Sequence, residues 1–204
     1  MGMMINRRRV MGGKKLPYDA EIEYLEGDGN AYIDTGILPF SDIGFYFIFA
    51  AKSKTRGNSV VFGCTENGAY NNGKGVGFDT TQKYFYYGNL LTAYSPLIQL
   101  NIPYTISMNY KNNSLITIDD WSQQLNKGTA FTTRKTITIN RWNNGDLYGN
   151  KNGIFYKFII TNKERCIFDA IPVRVGTTGY MYDKVSKQLF GNAGTGAFIL
   201  GPDK

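Results

Sequence analysis

The sequence contains no histidine. That excludes Ser-His-Asp and Cys-His nucleophile pairs and every imidazole metal ligand. Proton transfer in an enzyme built from this chain would fall to carboxylates, lysine or tyrosine. Cysteine is nearly absent too: Cys64 and Cys166 are too few for a four-thiolate zinc site. Each lies in an apolar run, so the expectation is two buried free thiols, with a single disulfide as the alternative. No apolar run approaches the roughly 18 to 20 residues of a membrane-spanning helix, so no membrane insertion is expected. The basic N-terminus is not followed by the apolar stretch of a secretory signal, and no signal peptide is expected. No segment shows the apolar period of an amphipathic helix.

What is present is a globular composition, with 42% hydrophobic and 19% charged residues in 204. A chain of this length can bury a substantial core without metal or disulfide staples. The net charge of +7 is unevenly placed. Arg7, Arg8, Arg9, Lys14 and Lys15 precede any regular pattern, and the basic residues after them nearly balance the 16 acidic ones. Sequence-specific nucleic-acid binding by the body is therefore not expected; contact with an acidic partner would be made by the arm. Residues 1–17 read as a basic arm without period, and 18–204 as one domain.

Within that domain the pattern is strands throughout. Ile22 and Tyr24 alternate with Glu21 and Glu23, followed by a turn at 26–30 and a second run at 31–37. Residues 44–51 are apolar on both faces and suit a central strand. Further strands are expected at 59–64, 83–88, 104–110, 114–119, 136–142, 153–161, 165–170, 180–183, 188–191 and 196–200. The stretch 67–77, NGAYNNGKGVG, is expected to be a mobile loop or tip. Many short strands without an amphipathic helix imply an all-β sandwich or barrel.

Three segments sharpen this. The opening EYLEGDGNAYIDTGI, the run GIFYKFIITNKERCIFDAIPVRV and the ending GYMYDKVSKQLFGNAGTGAFILGPD resemble laminin-G-like, concanavalin-A-like lectin-glucanase modules of gut bacteria and their phages. The likeness covers about residues 20–203; the two ends carry it, and residues 60–150 match in pattern only. It implies a two-sheet antiparallel jelly-roll sandwich with neighbouring termini, and carbohydrate or surface recognition within phage structural or adhesin proteins. The arm resembles the start of small virion proteins of Bacteroidetes phages. On that basis the expected setting is a phage particle, with the arm on virion structural proteins and the sandwich facing host glycans. Homo-oligomerisation is left open.

Some enzymes of this fold are glycosidases with a Glu-x-Asp-x-x-Glu strand motif. That spacing is missing here: Glu21, Glu23 and Glu26 lack the intervening Asp, and Asp119-Asp120 on a strand would point to opposite faces. No catalytic residue is assigned. Sugar recognition needs flat aromatic faces beside hydrogen bonders. The candidate ligand-binding residues are Trp142, Asn143, Asp146 and Tyr148 in one cluster, with Arg141 pointing opposite Trp142, and Trp121 and Tyr70 elsewhere. The competing expectation for each tryptophan is burial. No cofactor is expected; Asp28 and Asn30 are weak calcium candidates beside Asp34, and their alternative role is turn formation.

Overall fold

The computed structural model describes residues 10–11, 14–40, 42–52, 59–67, 71–78, 83–88, 90–94, 98–109, 115–124, 133–143 and 153–204. Its strands are β1 (Val10–Met11), β2 (Lys14–Lys15), β3 (Ala20–Glu21), β4 (Leu25–Gly27), β5 (Ile33–Asp34), β6 (Ile43–Ala51), β7 (Ser59–Asn67), β8 (Asn71–Phe78), β9 (Lys83–Gly88) and β10 (Leu90–Tyr94). They continue as β11 (Pro103–Asn109), β12 (Leu115–Ile118), β13 (Trp121–Gln124), β14 (Thr138–Ile139), β15 (Gly153–Asn162), β16 (Arg165–Val175), β17 (Thr178–Asp183), β18 (Gln188–Phe190) and β19 (Phe198–Leu200).

Two antiparallel sheets form the sandwich. The smaller has six strands in the order β10-β9-β8-β7-β14-β5. The larger has eleven, with the main path β13-β12-β11-β6-β15-β16-β17-β18. One edge of β15 is shared: its first half pairs with β4 and its second half with β16. The chain's beginning and end are thereby built into the same sheet, because β19 pairs with β4 and Ile22 bridges Asp203. The termini of the domain are neighbours, as the resemblance implied.

The core lies between the sheets. Phe45, Phe47 and Phe49 of β6 face inward at alternate positions, as a strand's period of two requires. Phe62 of β7 is fully buried and sits 4.4 Å from Phe45, 5.1 Å from Phe47 and 5.1 Å from Phe158 between ring centroids. These tilted and edge-on contacts join both sheets through one aromatic cluster. A second, smaller cluster lies on the outer face of the larger sheet, where Ile171, Val173 and Tyr182 are covered by Tyr18, Tyr180 and Leu189.

Several sequence expectations need correction. The glycine-rich stretch is not a loop: residues 71–78 form β8, paired on both sides. Asn140, with φ 69°, ends the run expected to reach Trp142, so only Thr138 and Ile139 remain strand. Gly36, with φ 69°, ends the second run in the same way. Asp119 and Asp120 are not on a strand but form a two-residue turn between Ile118 and Trp121, which adds β13. Cys64 is buried as expected, whereas Cys166 is exposed; both are free. The arm also has local order, since β1 pairs with β2.

The C-terminal segment is held by side chains bonded to backbone. Asp183 is 1% exposed, and its carboxylate accepts from the amides of Asp169 (2.8 Å), Val185 (3.1 Å) and Ser186 (2.9 Å). Asn192 accepts through Oδ1 from Tyr32 N and Gly194 N and donates through Nδ2 to the carbonyls of Gly194 and Gly196. A Cβ at Gly194 would run into the carbonyl oxygen of Asn30, and one at Gly196 into the Asp28 carboxylate. The two glycines therefore let the last loop close over the first turn.

Candidate functional site

The pairing register defines two faces of the six-stranded sheet, because residues directly opposite in antiparallel strands share a face. One row runs Ile33, Ile139, Phe62, Val76, Phe85, Thr92 from β5 to β10. Ile33, Ile139 and Phe62 are buried, so this row faces the core. The next row runs Asp34, Thr138, Gly63, Gly75, Tyr86, Leu91 and lies on the opposite face, where Asp34 is exposed and Thr138 and Gly63 are buried.

That outer face has an unusual floor. Gly73, Gly75 and Gly77 occupy alternate positions of β8 and so lie on one side, with Gly63 beside Gly75 on β7. Register places Tyr84 opposite Gly77 and Tyr86 opposite Gly75 on β9. Gly73 to Gly77 span about 13 Å along β8, and β9 runs one strand away, about 4.8 Å.

The other side is bounded by the turn after β14. Thr138 is fully buried there, and its hydroxyl bonds the carbonyls of Gly63 (3.2 Å) and Arg141 (2.8 Å). The Asn143 amide donates to Gly63 O at 3.1 Å, so the turn is tied to β7 beside the floor. Arg141 is half-buried, with its guanidinium 5.4 Å from the centre of the Tyr32 ring. That stacking fixes a planar cation at the β5–β14 edge. At the far end of β7, Glu66 accepts from the Thr133 hydroxyl and the Arg134 amide, both at 2.6 Å. The Thr133 hydroxyl, then the Arg134 amide, hold its carboxyl below the ordinary range.

The residues expected to bind ligand are distributed differently. Trp142 is 5% exposed, so its indole is a packing element and offers no open face for stacking. Trp121 is half-buried and packs against the core; it pairs with the buried Ile118 and shares its inward face. Asn143 is a holder of the turn, with Nδ2 donating to the Thr136 carbonyl (3.0 Å) and hydroxyl (3.2 Å). Arg141, opposite Trp142, does remain at the surface. Tyr70, Asp146, Tyr148, Arg7, Arg8 and Arg9 lie outside the described residues; Lys14 and Lys15 form β2, with Lys15 exposed.

The calcium candidates are committed elsewhere. Asp28 accepts three backbone amides, from Asn30 (2.8 Å), Ala31 (3.0 Å) and Ala197 (2.7 Å). Those bonds, Asn30 first, lower its pKa. Donor protons aimed at both oxygens compensate the charge without a cation. The Asp34 carboxylate accepts from Gly36 N at 2.9 Å, a turn-forming bond. Among the described residues no group of three or more Cys, Asp or Glu could hold a metal ion.

The sequence reading missed the glycine floor and the two tyrosines beside it. The signal was there: in NNGKGVGF every second residue from Gly73 to Gly77 is glycine, a strand period rather than a loop composition.

The fold itself has a solved counterpart. A candidate carbohydrate-binding protein from Bacteroides ovatus superposes with a TM-score of 0.64 over 90% of this chain, at 10% sequence identity. The present chain spans 61% of that protein's length. At that identity the likeness establishes the shared β-sandwich. No protein-family model matches the sequence, and no curated protein sequence matches it.

Proposed function

We propose that this protein is a non-catalytic, lectin-like carbohydrate-binding module whose ligand lies on the outer face of the six-stranded sheet. The observation that carries the reading is the alternate glycines of β8, with Tyr84 and Tyr86 opposite two of them in register on β9, on the sheet whose other edge holds the Arg141–Tyr32 stack. A pyranose presents apolar C–H faces and a polar rim; tyrosines and an arginine can meet both. The Bacteroides ovatus counterpart, described as carbohydrate-binding, supports the same direction. The absence of histidine and the lack of a Glu-x-Asp-x-x-Glu strand weigh against a hydrolase.

The test is a glycan array probed with wild type, Arg141→Ala and Tyr86→Ala. Binding of one glycan class by the wild type, weakened about tenfold by either substitution, is the expected outcome. A wild type that binds no host or plant glycan removes the reading.

A finer setting follows from the arm. We place the protein in a phage particle, with residues 1–17 on virion structural proteins and the sandwich presented outward; the alternative is a bacterial surface module. Tyr18 rests on the outer face of the larger sheet, 4.9 Å from Tyr182 between ring centroids, on the side away from the glycine floor. An anchor leaving from there keeps the proposed ligand face turned outward. Mass spectrometry of purified particles is the measurement, and repeated absence of the chain from them ends this setting.

A further inference from the structure

Two hairpin turns meet at one end of the larger sheet. The first joins β15 to β16, with Asn162 opposite Arg165. The second joins β17 to β18, with Asp183 opposite Gln188. β16 pairs with both β15 and β17, and its Ala170 stands opposite Asp183. The Lys184 amide donates to Asp169 O at 2.7 Å, so the second turn continues along β16 toward Arg165. From Arg165 to Asp169 the strand covers about 13 Å, which puts both turns at the same end.

These turns are basic. Lys163, Arg165, Lys184 and Lys187 are all exposed. None of the four makes an ion pair or a side-chain hydrogen bond among the described residues. Glu164 on the first turn and the half-buried Asp42 beside it offset part of this charge. The other carboxylates nearby are engaged, Asp183 with three amides and Asp169 with Lys157 at 3.9 Å. The acids from Asp19 to Asp28 lie toward the far end of β16, where Glu21 is opposite Val173. Arg165 and Val173 are about 26 Å apart along the strand, some three times the screening length of physiological salt.

The backbone marks the same residues. Five non-glycine residues among those described have a positive φ. Asn101, Asp119 and Asn140 are of the types that adopt this conformation readily. The other two are Lys163, with φ 51°, and Lys187, with φ 61°, one on each turn. Glycine would hold either turn with less strain. What lysine adds at both places is a charge.

We propose that this end of the sheet is a second ligand site, which takes an anionic polysaccharide bearing carboxylate or sulfate groups. Arg165 offers a planar fork for such a group, and the three lysines offer point charges around it. An extended polyanion engages both turns at once. Neither turn carries an aromatic side chain on which a nucleic-acid base could stack. The site shares no residue with the Tyr84–Tyr86 row, so each can fail without the other.

The experiment is binding of the full chain to immobilised polygalacturonate, dextran sulfate and neutral dextran, followed by biolayer interferometry. The variants are Lys163→Gly/Lys187→Gly and Arg165→Gln/Lys184→Gln, each made with the arm intact and with Arg7→Gln/Arg8→Gln/Arg9→Gln. At low salt the wild type should bind one or both polyanions and not dextran; the tighter of the two names the anionic group. Each pair of turn substitutions should weaken binding about fivefold in both backgrounds, and about 0.5 M salt should abolish it. Lys163→Gly/Lys187→Gly should leave the denaturation midpoint unchanged or raise it, and Tyr86→Ala should leave polyanion binding as it is. Failure to bind either polyanion, binding that the turn substitutions do not weaken, or its loss on neutralising the arm alone overturns the proposal. Tighter binding of a single-stranded oligonucleotide of equal charge also overturns it, because a nucleic acid would then be the occupant.

Discussion

The two ends of the chain and its middle use different physical means to make strands. From Ile154 to the C-terminus, together with residues 18–34, loops are fixed by polar side chains bonded to backbone: the buried Asp183, the half-buried Asn192 and the exposed Asp28 each hold several backbone groups. In the middle, β8 has glycine at alternate positions and little of its own to pack on the outer side. Its place comes from β7 and β9 on either flank. The resemblance noted from sequence alone follows the same division, strong at the ends and weak in the middle.

The largest effect should come from the cluster that joins these regions. Phe62→Ala removes a ring that contacts Phe45, Phe47 and Phe158 and should cost about 3 to 5 kcal/mol, read by chemical denaturation. A loss under about 1 kcal/mol would mean that the small sheet is not packed on the large one through β7.

Asp183→Ala tests the frame itself. It leaves three amides without their acceptor and should cost about 3 kcal/mol, while Asp183→Asn, which keeps one oxygen, should cost clearly less. Equal losses would show that shape, not hydrogen bonding, is what Asp183 supplies.

Gly75→Val separates the regions most directly. It fills the floor on the outward side and adds a β-branched residue to a strand. Glycan binding should fall at least about tenfold while the denaturation midpoint stays or rises. A variant that binds as before would move the ligand off this face.

The smallest effect concerns acid. The pKa of Asp28 is lowered in the folded state from its ordinary 3.8, so its contribution is complete above that value. It is lost as pH falls through the lower folded value, where the carboxylate takes up its proton. Asp203, lowered by the Arg174 guanidinium, behaves alike. Asp28→Asn should flatten the stability profile below about pH 4, measured by urea unfolding across pH. An unchanged slope would detach the first turn from the last loop.

Much of the frame was legible in the residues. The apolar runs of β6 and β15 and the Tyr-Asp hairpin at 180–191 read as strands because their composition and turn residues are local properties. For Trp142 the structure decides for burial, the competing expectation, because burial is set by tertiary packing and not by local pattern. β8 was misread because glycine has weak local preference, and neighbours on both sides decided its conformation.

By itself the sequence determined the absence of histidine chemistry, the all-β class and the charge split between arm and body, because each follows from composition or from a period of two. Only the tertiary structure decided which glycines share a face, which tryptophan is buried and which acids are already bonded. Those depend on register between segments far apart in the chain, and register is a property of pairs of strands, not of either one alone.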